Sequence, residues 1–129
     1  MLASCTGYEE PIYIYLSSVH PTLMVTDDEW EIAAKVTDFL EVFYNSTRFL
    51  AGVYYPTSCL VLAQLTLVAE NFEKYRDDAI FIDCINKMET KFKKYWGNIP
   101  PLFYLAMCMN PRIKIEMAIY QVNTIVNIV

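Results

Sequence analysis

The sequence predicts a mainly α-helical fold of four to five helices joined by short loops. Three observations support this class. Apolar residues recur at steps of three and four over most of the chain, which places them on one face of a helix. Polar residues that favour helix starts stand before these stretches. Glycine and proline then separate one stretch from the next.

The composition indicates a folded chain of one-domain size. Hydrophobic residues make up 55% of the 129 residues and charged residues 19%, which argues against disorder. A chain of this length buries roughly two-thirds of the surface that it exposes when unfolded. The apolar excess suggests that part of the surface is covered by the rest of a longer chain or by a second copy.

The first long helix is expected to begin after residue 26. Residues 1–25 are predicted to be irregular, with one short helical or extended piece. Thr26 and Glu29 have the spacing of a capping box, in which each side chain accepts a hydrogen bond from the other residue's backbone amide. Trp30 then starts an apolar face that continues to about residue 48.

The second helix follows a loop at residues 51–56, where Gly52 and Pro56 interrupt the pattern. Thr57 or Ser58 could cap it. Its first three turns are nearly free of polar residues, so we expect it to be buried on most sides.

The third helix is the clearest amphipathic segment, and Asp77 or Asp78 is expected to cap it. Gly97 is placed to end it in the left-handed conformation. Its apolar face consists of Phe81, Cys84, Ile85, Met88, Phe92, Tyr95 and Trp96.

Two shorter segments complete the chain. Residues 102–109 are predicted to be helical, and Asn110 followed by Pro111 favours the start of a helix from residue 112 to about 126. Residues 121–129, of which six are β-branched, could instead form a strand, so both states stay open for them.

The net charge of −5 does not suggest a DNA-binding module, because such modules usually carry a clustered positive excess. Lys87, Lys91, Lys93 and Lys94 nevertheless lie close together, with Glu89 between them. They form either a phosphate-facing strip or an ordinary solvated helix face, and the second interpretation is favoured.

The aromatic residues near these lysines also have two interpretations. Phe92, Tyr95 and Trp96 could stack on nucleic-acid bases. They also continue the apolar face of the third helix, which favours a role in the core.

No metal site, disulfide framework or cofactor site is expected. The cysteines at positions 5, 59, 84 and 108 form no Cys-x-x-Cys pair, and His20 is the single histidine. Cys59, Cys84 and Cys108 have apolar neighbours, so we expect reduced thiols packed in the core of an intracellular protein.

Catalysis by these residues is not expected either. The acidic residues fall at helix starts or on polar helix faces, where their spacing brings no partner from elsewhere. The sequence contains no Gly-rich phosphate loop and no apolar run long enough to span a membrane, and we expect no signal peptide because Glu9 and Glu10 precede any long apolar run. We therefore expect no small-molecule substrate and no membrane partner.

The sequence contains three ordered motifs: Tyr55-Pro56-Thr57, Lys91-Phe92-Lys93-Lys94-Tyr95-Trp96 and Asn110-Pro111-Arg112-Ile113-Lys114. Together they resemble the hAT-superfamily transposases and their domesticated plant relatives, the RICESLEEPER-type proteins with a BED zinc finger. The resemblance covers about residues 26–118. It marks twelve residues as structural or DNA-facing: Trp30, Tyr55, Pro56, Thr57, Lys91, Phe92, Lys94, Tyr95, Trp96, Pro111, Arg112 and Lys114.

In that family this stretch is a helical insertion within an RNase-H-like catalytic domain. The resemblance implies a nuclear protein that binds DNA through a longer parent protein. The family's catalytic aspartates and glutamate and its BED finger find no match in this chain, so it implies no enzyme activity for these residues alone. It also divides the chain into an irregular segment (1–25), the hAT-like helical domain (26–118) and a divergent tail (119–129).

One position departs from the family pattern within the matched region. Asn110 stands where the family has aspartate, which preserves the capping role but not the charge.

A second hypothesis is a helical protein–protein interaction or homo-oligomerisation module without DNA contact. The two hypotheses differ in the surface that they require. Clustering of Lys87, Lys91, Lys94, Arg112 and Lys114 on one exposed face would favour DNA, and a dominant apolar patch would favour association.

Overall fold

The computed structural model describes residues 4–52, 57–113 and 115–128, and within these residues it contains helices and no strand. The mainly α class is confirmed, with six α-helices in the described residues rather than four to five. The helices are α1 (Glu9–Val19), α2 (Asp27–Leu50), α3 (Val61–Tyr75), α4 (Ile82–Trp96), α5 (Pro101–Cys108) and α6 (Ile115–Ile128), and two short 3₁₀ helices span Pro21–Leu23 and Ser58–Leu60.

The chain divides into two compact units, Met1–Glu41 and Val42–Val129. The first contains α1 and the first part of α2. The second contains the last part of α2 and helices α3 to α6. The division of the chain into residues 1–25, 26–118 and 119–129 stays a prediction.

The start of α2 confirms the capping box. The backbone amide of Thr26 donates to Glu29 Oε2 at 2.8 Å, and the amide of Glu29 donates to Thr26 Oγ1 at 3.3 Å. These bonds satisfy two backbone donors that a helix start leaves without partners. Local sequence therefore sets this boundary.

Helix α1 is the short helical piece expected within residues 1–25. Gly7 precedes it with a φ of +88°, a conformation that glycine adopts without steric cost. The Gly7 amide donates to Glu9 Oε1 at 2.8 Å, and this bond lowers the pKa of Glu9. The glycine and the carboxylate together stabilise the first turn of α1.

Helix α3 is the centre of the second unit, where it contacts α4, α5 and α6. The expected burial on most sides is confirmed, because the buried residues of α3 cover roughly 220° of its circumference. Phe72 is only 1% exposed, and its ring lies 5.9 Å from the Phe43 ring and 5.8 Å from the Phe92 ring. This aromatic cluster connects α2, α3 and α4 inside the second unit.

The predicted caps of α3 and α4 were wrong. Thr57 makes no side-chain capping bond, and the 3₁₀ helix at residues 58–60 comes before α3. Asp78 stabilises a turn instead, because its Oδ1 accepts from the Ile80 amide at 3.0 Å. Aspartate side chains that bond to a nearby amide compete with helix formation. Helix α4 consequently begins at Ile82.

The predicted left-handed conformation of Gly97 was also wrong. Gly97 has a φ of −62°, and its amide donates to the carbonyl of Lys93 at 2.8 Å. The last turn of α4 is therefore completed by an ordinary helical hydrogen bond. Pro100 and Pro101 follow, and α5 begins at Pro101, as expected for proline in the first turn of a helix.

Asn110 caps a turn rather than the last helix. Its Oδ1 accepts from the Arg112 amide at 3.1 Å, and its carbonyl accepts from the Ile113 amide at 3.0 Å. Helix α6 begins at Ile115, three residues later than the sequence predicts. It continues to Ile128, so residues 121–128 are helical and not a strand.

The Tyr120 side chain of α6 forms a hydrogen bond to Glu70 of α3, and this bond depends on pH. Its hydroxyl donates to Glu70 Oε1 at 2.8 Å, and this bond raises the pKa of Tyr120 above its ordinary value of 10.0. The folded state favours the protonated phenol, so the contribution of this bond is present below pH 10.0 and is lost as the pH rises through the folded pKa.

We expect Glu70→Gln to move the pKa of Tyr120 back towards its ordinary value, because the carboxylate is the main cause of the shift. An NMR titration of the Tyr120 ring signals measures this. Glu73→Gln, on the same helix, is the control and should leave the titration unchanged. Identical titrations in the Glu70→Gln variant and the unchanged chain would contradict the bond.

Candidate nucleic-acid interface

Helix α4 has a buried side and a lysine-bearing side. Ile85 and Phe92 are buried, with exposed fractions of 1% and 8%. Lys87, Lys91 and Lys94 are exposed, and their spacing of four and three residues places them within roughly 60° of arc. We call these three residues the lysine row. It faces away from the buried side of the helix.

The acidic residue between these lysines is turned inward. Glu89 is 9% exposed, and its Oε1 accepts from Arg76 Nη2 at 2.6 Å. The same guanidinium nitrogen donates to Glu73 Oε1 at 2.8 Å. Arg76, just after α3, thereby neutralises the Glu89 carboxylate inside the unit.

Burial of Glu89 changes the electrostatics of the lysine row. No acidic residue other than Glu89 occurs between Lys87 and Trp96, so the outer face of this stretch presents only positive charge. Asp83, one turn before Lys87, is exposed at the N-terminal end of the row. Lys93 and Lys94 lie in the last turn, where positive charge also interacts favourably with the helix dipole.

The Arg76–Glu89 ion pair was not predicted from the sequence. A signal was present, because Glu89 lies four residues after Ile85 and three before Phe92, which places it on the buried side of the helix. The partner could not be inferred, since Arg76 comes from the segment after another helix.

The core role predicted for the aromatic residues of α4 holds in part. Phe92 is buried, and Trp96 is half-buried with its ring 6.3 Å from the Phe103 ring. Tyr95 was wrongly assigned to the core, because it is 70% exposed. Its ring centroid lies 5.9 Å from Lys94 Nζ. At the C-terminal end of α4 the apolar face is narrower than the sequence predicted, because Tyr95 lies at the edge of that face.

Two of the three predicted core cysteines are exposed. Cys84 and Cys108 lie on the outer sides of α4 and α5, so apolar neighbours in sequence were a poor guide to their position. Cys59 is half-buried, and its Sγ accepts a hydrogen bond from Asn110 Nδ2 at 3.4 Å.

The Cys59–Asn110 contact brings two of the sequence motifs together. The carbonyl of Thr57 accepts from the Leu60 amide at 2.9 Å and so closes the 3₁₀ turn that contains Cys59. Pro111 and Arg112 are exposed and line one cleft together with Cys59 and Leu60. The chain just after the first motif therefore contacts the third motif, through Cys59 and Asn110.

The five basic residues whose clustering on one face would favour DNA contact do not all share one described face. Lys87, Lys91 and Lys94 share the outer face of α4, whereas Arg112 lies beside the 3₁₀ turn at residues 58–60. Lys114 lies outside the described residues.

The remaining motif residues are Trp30, Tyr55 and Pro56. Trp30 is half-buried in the first unit, where its amide donates to the Thr26 carbonyl at 3.1 Å. Tyr55 and Pro56 lie outside the described residues.

Two further findings concern the described residues. Within residues 4–52, 57–113 and 115–128, no three His, Cys, Asp or Glu side chains are grouped so that they could hold a metal ion. The helices in this part of the chain are too short or too polar to cross a membrane.

Residues 52–128 match a family model described as hAT-like transposase, RNase-H fold. This match covers more than half of the chain. The chain belongs to the hAT-like transposase family. The resemblance seen in the sequence motifs is thereby confirmed.

Two similar proteins come from Oryza sativa subsp. japonica. The hAT-like chain is 25% identical over 101 residues to zinc finger BED domain-containing protein RICESLEEPER 1, and 24% identical over 101 residues to RICESLEEPER 2. Each alignment covers 76% of this chain and 14% of the relative, so the chain spans about a seventh of the length of these relatives. No solved structure matches it.

Proposed function

We propose that this chain is a noncatalytic helical segment of a transposase-derived nuclear protein, in which the lysine row of α4 contacts the DNA backbone. It acts as part of a longer parent protein, as the helical insertion of an RNase-H-like domain. The hAT-like domain covers residues 26–118 in this proposal, with an N-terminal segment that contains α1 before it and a divergent tail after it.

The observation that carries the proposal is the inward position of Glu89. With that carboxylate paired to Arg76, Lys87, Lys91 and Lys94 form a positive row on a chain whose net charge is −5. Lysines in such a row bind phosphates and release the counterions of DNA, and this release is favourable for any sequence. The expected contact is therefore with the backbone and not with base edges.

The rigid support of the row favours the same function. Phe92 and Ile85 fix the buried side of α4 in the core, so the three lysines have a fixed spacing along one helix. Tyr95 is exposed next to Lys94 and adds an aromatic surface at the end of the row.

The structural uses of the acidic residues support the noncatalytic part of the proposal. Glu29 forms the capping box, and Glu89 forms an internal ion pair. Asp78 holds the turn before α4. A metal-dependent nuclease needs several carboxylates that converge on the same metal ions, and these three residues serve separate local roles.

The test is DNA binding as a function of salt concentration. We expect weak binding of the purified chain to duplex DNA at about 50 mM salt, with an affinity that falls as salt rises. The triple variant Lys87→Ala/Lys91→Ala/Lys94→Ala should lower the slope of log affinity against log salt by about 0.9 for each lysine that contacts a phosphate. Fluorescence anisotropy of a labelled duplex measures both quantities.

Lys93→Ala is the matched control. Lys93 is exposed on the same helix but lies roughly 120° from the row, so its removal should change the slope little. Lack of binding by the unchanged chain at low salt would contradict the proposal. A Lys93→Ala effect as large as that of a single row lysine would show general charge attraction instead.

A further inference from the structure

Tyr95 is an exposed aromatic side chain in the positively charged part of α4. It is 70% exposed, and its ring centroid lies 5.9 Å from Lys94 Nζ. Lys91, which is also exposed, lies four residues before Tyr95, so the two side chains are neighbours separated by roughly 40° around the helix axis. The tyrosine ring therefore lies beside two residues of the lysine row.

The sequence around Tyr95 has no exposed negative charge. Residues 90–115 contain no aspartate or glutamate. Glu89, the carboxylate just before this stretch, is 9% exposed and paired with Arg76. An aromatic ring between lysines is the combination that binds single-stranded nucleic acid, because bases stack on the ring while the ammonium groups bind the backbone.

Nucleic acid suits this surface better than another protein surface does. A protein surface that covered Tyr95 would remove water from the Lys91 and Lys94 ammonium groups and would have to supply a carboxylate for each of them. A nucleic-acid strand carries a phosphate beside every base. The same ligand therefore stacks on the tyrosine ring and neutralises the neighbouring lysines.

The face of the Tyr95 ring distinguishes unpaired from paired DNA. In a duplex, each base is stacked between its neighbours and presents only its edges in the grooves. An unpaired base can leave the stack, and its face is then free to stack on an aromatic side chain. Lysines bind the phosphates of both forms, so the ring is the part of this surface that separates them.

We infer that the lysine row and Tyr95 together bind DNA with unpaired bases in preference to fully paired DNA. One unpaired base stacks on the Tyr95 ring, and Lys91 and Lys94 bind the phosphates beside it. This inference rests on the proposed DNA contact and specifies the form of DNA that is bound. It predicts no base preference, since every base has a face that stacks.

The first test compares two labelled DNA probes by fluorescence anisotropy at about 50 mM salt. One probe is a fully paired duplex, and the other is a duplex of the same length with a central bubble of mismatched bases. Both carry the same number of phosphates, so their electrostatic attraction to the lysines is similar. We expect about tenfold tighter binding of the bubble probe, which is the effect of stacking one base on an aromatic side chain.

Variants at Tyr95 assign this difference to the ring. Tyr95→Ala should bind both probes equally, with an affinity for the paired duplex that is nearly unchanged, whereas Tyr95→Phe should keep the preference because it keeps the ring. Tyr44→Ala is the matched control, since Tyr44 is 61% exposed and has Arg48 Cζ 5.6 Å from its ring centroid but lies on α2. Circular dichroism should show unchanged helix content in all three variants.

The second test observes the ring directly by NMR. Addition of the bubble probe should move the Tyr95 ring proton signals upfield, as stacking on a base requires, and the paired duplex should move them less. Equal affinity for the two probes, a preference that persists in Tyr95→Ala or is lost in Tyr44→Ala, or equal signal shifts would overturn the inference and leave the backbone contact of the lysine row standing. Lack of binding to either probe would overturn the proposed function as well.

Discussion

Phe72→Ala is expected to lower the free energy of unfolding by about 3–5 kcal/mol, which is a large share of the stability of a small domain. Phe72 is 1% exposed and lies between the rings of Phe43 and Phe92. Its removal loses the transfer free energy of the ring and leaves a cavity where three helices meet. Urea unfolding followed by far-UV circular dichroism measures the change.

Leu67→Ala is the matched control for this variant. Leu67 is on the same helix but is 47% exposed, so the substitution should cost less than about 1 kcal/mol. Equal costs at the two positions would mean that α3 is not the buried centre of the second unit.

The second large effect is expected at Arg76. Arg76→Met should cost about 2–3 kcal/mol, because it leaves the Glu89 carboxylate in the interior without its cation. This value is below the roughly 3–5 kcal/mol expected for a fully buried pair, since the Arg76 side chain is 42% exposed and the Glu89 side chain 11% exposed. Urea unfolding again measures it.

Two further variants distinguish the buried Arg76–Glu89 ion pair from ordinary surface charge. Glu73→Gln removes the other carboxylate that binds the Arg76 guanidinium. The Glu73 side chain is 56% exposed, so this variant should lower the free energy of unfolding by less than about 1 kcal/mol. The double variant Arg76→Met/Glu89→Met should regain part of the loss, because no isolated charge then remains inside. If Arg76→Met and Glu73→Gln cost the same, Glu89 is not a buried charge that depends on Arg76.

Loss of the ion pair should also affect the proposed DNA contact. In Arg76→Met the negative charge of the Glu89 carboxylate is no longer balanced, so it weakens the positive potential of the lysine row on the other side of the helix. We therefore expect a weakened DNA affinity to accompany the lost stability, whereas Glu73→Gln should leave both nearly unchanged.

Local patterns predicted the parts of the fold that neighbouring residues determine. The Thr26–Glu29 capping box is formed as predicted, because both partners lie within one turn. The burial of α3 followed from its nearly unbroken apolar run. Gly97 and Pro100 lie between α4 and α5, where the sequence predicted a break, and the family motifs identified the family. The predicted loop at residues 51–56 lies mostly outside the described residues.

The same patterns failed where two local structures compete. Asp78 and Asn110 each accept a bond from the amide two residues later, so each holds a turn and delays the following helix. The sequence alone does not show whether such a side chain forms a turn or caps a helix, because the same side-chain oxygen can accept either hydrogen bond. The exposed positions of Cys84 and Tyr95 depended on a rotation of a few tens of degrees about α4, which spacing by threes and fours does not fix.

The sequence by itself determined the mainly α class, the family and the spacing of the lysines on one helix face. Only the tertiary structure decided that Arg76, from another segment, neutralises the Glu89 carboxylate on the buried side of α4. It also decided that Asn110 meets Cys59, 51 residues earlier in the chain, and that one apolar stripe of α6 is exposed while another is buried. The physical reason is that periodicity fixes which residues share a helix face, whereas the partner of that face comes from distant segments brought together by packing.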